Sequence, residues 1–188
     1  GRLEHNDWKR INEAISRLAD TKIYIDDTPG VRVSEIFSKC RKLNAEHGLS
    51  LVVIDYIQLI TGNGKNSDNR QQEVSEISRS LKALARELKV PVIALSQLSR
   101  KVEERTEKIP MLSDLRESGA IEQDADIVMF LYREAYYAKL KDKDESVTNE
   151  SVDVIIAKHR NGATKNITLS FERNINSFKN PALEYEGV

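Results

Sequence analysis

The sequence predicts an α/β fold, a mostly parallel sheet flanked by helices with a β-hairpin towards the C-terminus. Three observations carry this. Short apolar runs at 51–54, 92–95 and 127–132 alternate with segments of helical periodicity, the pattern of parallel strands joined by right-handed crossovers. The runs at 51–54 and 127–131 are nearly continuously apolar, as expected of strands covered by helices on both faces. Residues 152–157 and 167–171 then flank Asn161-Gly162, a hairpin signal.

The elements follow in order. Asn6 or Asp7 is placed to cap a helix whose apolar positions Trp8, Ile11, Ile15 and Leu18 recur every three or four residues. Ile23-Tyr24-Ile25 reads as a short strand stopped by the turn cluster Asp26-Asp27-Thr28-Pro29-Gly30. A helix is expected over 33–46, with Gly48 positioned to end it. The strand at 51–54 ends on Asp55, and a polar loop covers 61–69. The best-defined helix spans about 70–89, where Val74, Ile77, Leu81, Leu84 and Leu88 form one apolar stripe. It leads into the strand at 92–95, which ends on Ser96-Gln97. Residues 99–110 are highly charged without a core pattern and read as a mobile loop. A short helix begins near Ser113 and precedes the strand at 127–132. Residues 138–150 read as a solvated excursion before the hairpin. The chain after Asn174 shows little pattern.

Composition narrows the function classes. A length of 188 residues, 39% hydrophobic and 31% charged, suits one globular domain with a substantial core. No apolar run approaches the roughly 20 residues that span a bilayer, and no signal peptide is visible, so a cytoplasmic location without membrane contact is expected. A single cysteine, Cys40, leaves no internal disulfide framework and reads as a buried small hydrophobe. With 29 Lys and Arg against 30 Asp and Glu, the net charge is −1. That balance argues against a surface coating nucleic acid indiscriminately, while leaving local phosphate contacts open. His5, His47 and His159 show no metal-ligand spacing.

Four places carry candidate chemistry. Asp55, directly after an apolar strand, can reach a Mg²⁺ through water, although a turn or cap aspartate is the plainer reading. Gln97 ends the next strand, and its amide can donate to a γ-phosphate while accepting from water. In parallel sheets ligands sit outside the carboxyl ends of the strands, where both residues fall. Arg116-Glu117-Ser118-Gly119 combines a cation with a glycine that permits backbone approach to phosphate. Lys158 and Arg160 project from one side of a strand end and His159 from the other. Such a pair suits transferred phosphoryl charge, or alternatively a cationic edge that resists aggregation. No G-x-x-x-x-G-K-[ST] phosphate loop occurs in the 188 residues.

These pieces, in this order, resemble the C-terminal motor domain of the DnaB-family replicative helicases. The matching stretches are Val53-Ile54-Asp55-Tyr56-Ile57-Gln58-Leu59, Leu95-Ser96-Gln97-Leu98-Ser99-Arg100, the run from Asp114 to Asp126, and Ala157-Lys158-His159-Arg160-Asn161-Gly162. The resemblance implies a RecA-like fold, a partial motor domain over 1–178 followed by a tail at 179–188, and a homo-hexamer using ATP and Mg²⁺ to move along single-stranded DNA. It implies a primase and a helicase loader as partners. It gives Asp55 the Walker B role on Mg²⁺ and Gln97 that of γ-phosphate sensor. Arg116, Glu117 and Gly119 would contact the DNA backbone, and Arg160 with Lys158 would reach the adjacent subunit's ATP as arginine finger and partner lysine.

The sequence departs from the family's pattern in several places. The phosphate loop, the catalytic glutamate and the N-terminal domain with its linker helix are expected upstream of Gly1. His159 stands where glutamine is usual and Ala163 where proline is common. The phosphate-loop strand of RecA-like sheets sits between the strands corresponding to 92–96 and 127–131. A gap is therefore expected there, together with inactivity of the isolated chain as an excised piece of a longer protein. Such a gap is closed, paired with another chain, or left at a cost in stability. The competing readings are a non-catalytic module binding single-stranded DNA or a partner, and a RecA-like recombinase or repair ATPase.

Overall fold

The computed structural model describes residues 3–62, 70–138 and 149–181, without the side chains of 116–118 and 138. Helix α1 (His5–Ala19) starts before either expected cap: the Glu4 N–H donates to the Asp7 carboxylate at 3.0 Å, which makes Asp7 the third helical residue. Its stripe of Trp8, Ile15 and Leu18 is exposed, and the helix has no buried residue. The segment 23–25 is extended but is no strand, since it finds no strand to pair with; Ile25 is 89% exposed. Instead Asp26 closes a turn by accepting from the Thr28 N–H and hydroxyl, and Tyr24 stacks on His47.

Helix α2 (Val33–His47) ends at Gly48, whose φ of +73° is strained for residues with a Cβ. It buries Val33, Ile36 and Cys40 against α3 (Arg70–Leu88). The α3 stripe behaves as its spacing requires: Val74, Ile77, Leu81 and Leu84 are buried and Leu88 packs against the same cluster. Between α2 and α3, strand β1 (Val52–Ile54) runs parallel to β2 (Val92–Ala94), with Val52 opposite Val92 and Ile54 opposite Ala94. Arg41 and Glu87 add a bidentate pair linking α2 to α3 at 2.6 and 2.8 Å.

Residues 99–110 are not a structureless loop. A short helix, α4 (Lys101–Glu104), buries Val102, and Arg105 donates to the Asp114 carboxylate at 2.6 Å. Val102 and Pro110 are its buried residues, and contacts to Asp114 hold the segment, a pattern too sparse to stand out among its charges. A 3₁₀ segment, Leu112–Ser118, replaces the helix expected at Ser113 and leads directly into α5 (Gly119–Asp124).

Strand β3 (Ile127–Tyr132) opens a four-stranded antiparallel sheet with β4 (Asn149–His159), β5 (Lys165–Glu172) and β6 (Ser177–Lys179). The solvated excursion is narrower than expected. Helix α6 (Glu134–Ala138) takes its start, and Asn149 and Glu150 belong to β4, where buried Glu150 lies between Arg133 and Arg173 at 3.4 Å each. Residues 139–148 fall outside the described residues. The patternless tail forms a 3₁₀ turn (Arg173–Ile175) and β6, which is held by Phe178 against Phe171.

The sheet is thus in two parts. The parallel part is two strands, β1 and β2, and the antiparallel part four. Among the described residues no hydrogen-bonded ladder joins β2 to β3, so the expected gap lies between them and is not closed. Val53, Ile93, Met129 and Leu131 project exposed from the strands on its two sides.

Candidate functional site

The parallel register carries Asp55 and Gln97 to neighbouring strand ends. Together with Tyr56, Leu95 and Ser96 they line a shallow pocket of about 270 Å³. The backbone is locked there: the Leu95 N–H donates to the Ile54 carbonyl and the Ile57 N–H to the Leu95 carbonyl, both at 2.9 Å. Gln58, whose role was not read from the sequence, ties the two ends through its side chain. Its Nε2 donates to the Ser96 hydroxyl at 3.0 Å and to the Gln97 carbonyl at 3.4 Å, and its Oε1 accepts from the Gln97 N–H. The signal available was its position three residues past Asp55 on the same turn.

From Gln97 the chain passes straight to the third candidate segment. Leu98 packs against the cluster of Leu115, Val128 and Phe130, and the Ser99 N–H donates to the Asp114 carbonyl at 3.0 Å. Asp114 is itself buried, its carboxylate accepting from Arg105 and from the Met111 N–H. This anchors the backbone carrying Arg116 and Glu117, whose side chains lie outside the description. Gly119 opens α5 on the surface, and a Cβ there would meet nothing within 4 Å. The polar loop candidate is described only through Gly62, whose N–H donates to Glu73 at 2.8 Å. That bond lowers the Glu73 pKa, and Arg70 beside it acts in the same direction.

Lys158 and Arg160 do share one side. The Lys158 ammonium donates to the Glu122 carbonyl and, at 3.3 Å, to the Gln123 carbonyl, which also accepts from Arg160 at 3.2 Å. These are carbonyls at the end of α5, where unpaired acceptors and the helix dipole favour cations. His159 turns the other way, so close to the turn that a Cβ on Gly162 would lie 2.3 Å from its ring. Arg160 lines a second, larger cleft of about 480 Å³ with Arg79, Lys82, Ala83, Arg86, Gln123 and Asp124. The two clefts share no residue. The structure therefore joins Asp55 to Gln97 and Lys158 to Arg160, and keeps the two pairs in separate places.

A single exposed carboxylate beside an amide, at the mouth of a small open pocket, fits a Mg²⁺ held through water rather than a dedicated cage of protein ligands. Among the described residues no helix is long and apolar enough to cross a membrane.

Comparison with known proteins decides the family. The family model described as DnaB-like helicase C terminal domain matches residues 1–180. The chain belongs to that family. It is 57% identical over 180 residues to the replicative DNA helicase DnaC of Bacillus subtilis and 58% identical to the replicative DNA helicase DnaB of Geobacillus stearothermophilus. Each alignment takes in 96% of this chain and 38% of the relative, so the chain spans well under half the length of these helicases. Among solved structures, one described as an ATPase domain superposes with a TM-score of 0.86 at 47% identity, covering 95% of this chain and 61% of that one. A DnaB-like replicative helicase, described with its interactions with primase, superposes with a TM-score of 0.84 at 47% identity, over 94% of this chain and 41% of its own. The α/β fold described above accordingly matches part of a DnaB-like ATPase domain.

Proposed function

We propose that this chain is the sensor-and-finger part of a hexameric replicative helicase motor, which couples ATP hydrolysis to movement along single-stranded DNA and to duplex unwinding. The observation that carries the reading is the separation of two half-sites within one DnaB-like domain: Asp55 with Gln97 at parallel strand ends, and Lys158 with Arg160 at the end of β4. A nucleotide bound beside Asp55 in one subunit would meet the Lys158–Arg160 pair of the next.

The roles follow from the chemistry of each group. Asp55 holds the water shell of Mg²⁺, and the ion supplies neutralisation of phosphate charge. Gln97 reads the γ-phosphate, and its neighbours Leu98 and Ser99 pass any shift to the backbone at Asp114. Arg116, Glu117 and Gly119 then face the DNA backbone. Lys158 and Arg160 neutralise charge on the transferred phosphoryl group. The partial motor domain expected over 1–178 takes in β6 as far as Lys179, one residue into the tail expected at 179–188. Primase and a loader act on the parent ring, outside the groups described above.

The 188 residues carry no phosphate loop, and most nucleotide contacts in such motors come from that loop. The chain alone is therefore expected to hydrolyse no ATP. The test uses the complete helicase: Asp55→Asn should abolish single-stranded-DNA-dependent ATP hydrolysis and unwinding while hexamers persist in sedimentation. Unwinding at the unsubstituted rate by the Asp55→Asn hexamer would overturn the reading.

A further inference from the structure

We propose that Asp126 is the positioning residue for Arg160, fixing it beside α5 so that the finger and the DNA-facing segment before α5 move as one body. The inference rests on the reading of Arg160 as the group that reaches a neighbouring subunit's nucleotide, and adds what aims it.

Asp126 follows α5 by two residues and precedes β3, so it sits where the DNA-facing segment, α5 and the finger strand meet. It holds Arg160 from both its backbone and its side chain. The Arg160 N–H donates to the Asp126 carbonyl at 2.8 Å, and the guanidinium lies 3.5 Å from Asp126 Oδ1. The other carboxylate oxygen, Oδ2, accepts from the Lys82 ammonium on α3. Three elements are thereby pinned at one carboxylate: α3 through Lys82, the end of α5 through Asp126 itself, and the end of β4 through Arg160.

Charge explains why a carboxylate is needed. Arg79, Lys82, Arg86 and Arg160 converge on the same cleft, with Asp124 as the acidic residue among its lining groups. Without Asp126, Lys82 and Arg86 would repel Arg160 across a cleft of about 480 Å³. The cations around it hold the Asp126 carboxyl below its usual range, first through the Lys82 hydrogen bond and then through Lys82, Arg160 and Arg86 as charges. The carboxylate therefore stays ionised at neutral pH.

The carbonyl contacts from Glu122 and Gln123 set the distance of the pair from α5. Asp126 sets the direction of Arg160. Since Leu112–Ser118 runs into α5 without a break, DNA that repositions that segment also re-aims the finger.

The test uses complete hexameric helicase and four variants: Asp126→Asn, Asp126→Glu, Arg160→Ala, and Asp126→Asn with Arg160→Ala. Steady-state ATP hydrolysis is measured with saturating single-stranded DNA, and assembly by sedimentation. Asp126→Asn is expected to lower kcat ten- to a hundredfold, the range for a reacting group displaced by about 1 Å, with KM for ATP within about twofold. Asp126→Glu should restore most of the rate. Adding Asp126→Asn to Arg160→Ala should cost nothing further, because once the finger is absent Asp126 has nothing left to aim. An unchanged or raised kcat, a loss confined to KM, an additive loss in the double variant, or failed hexamer assembly would each overturn the proposal. Full turnover by Arg160→Ala would instead refute the finger reading on which it rests.

Discussion

Gln58 contributes to the candidate nucleotide pocket without lining it. Its amide clamps Ser96 and Gln97 against the turn after Asp55, so the distance between the two pocket residues depends on it. In the complete helicase, Gln58→Ala is expected to lower DNA-stimulated ATP turnover about tenfold and to cost at most about 3 kcal/mol of stability, since each of its three neutral hydrogen bonds is worth about 1 kcal/mol. Turnover assays beside a melting curve check this. A second residue fixes acid sensitivity. Bonds from Lys39 first and Thr28 second bring the Asp26 carboxyl down from 3.8 to about 2. A carboxyl held low when folded adds stability above its unfolded pKa and loses it as pH falls through the folded value. The chain should thus lose stability between about pH 4 and pH 2, and Asp26→Asn should flatten that part of the pH–stability curve.

At the scale of elements, α3 is the hub. Its buried stripe meets α2, the segment after β1, and Ile121 of α5, while its polar face supplies Arg79, Lys82 and Arg86 to the finger cleft. Leu84→Ala removes a fully buried side chain and should destabilise the chain by about 2–5 kcal/mol, measured by denaturant unfolding. Glu76→Ala on the exposed face should stay within about 0.5 kcal/mol.

The helix was legible because a 3.6-residue period repeated over several turns identifies one face. The strand ends at Asp55 and Gln97 were legible for a related reason: an apolar run stops abruptly on a polar group. What failed depended on distant partners. Ile23-Tyr24-Ile25 has strand composition, but no neighbouring strand satisfies its backbone. Strand β6 rests on its pairing with β5, where Phe178 meets Phe171 and Lys179 meets Glu172, contacts that no local pattern announces. Asp126 was invisible as a site, since its meaning comes from Lys82 and Arg160, 44 and 34 positions away.

At the scale of the whole molecule, the two-part sheet and the two half-sites tell the same story. Strands β2 and β3 face a gap, exposed Val53, Ile93, Met129 and Leu131 flank it, and α1 turns its apolar stripe to solvent. Exposed apolar faces of this kind are typical of interaction surfaces. In the proposed function the half-sites likewise need a phosphate-binding loop beside Asp55 and a neighbouring subunit's nucleotide beside Arg160. On that proposed reading activity is a property of a ring, and the measurement that tests this most directly is single-stranded-DNA-dependent ATP turnover by complete hexamers carrying Arg160→Ala. The expected result is a fall of about 10³-fold or more, the usual worth of an arginine finger, with ATP binding and hexamers retained. Turnover equal to that of the unsubstituted ring would contradict it.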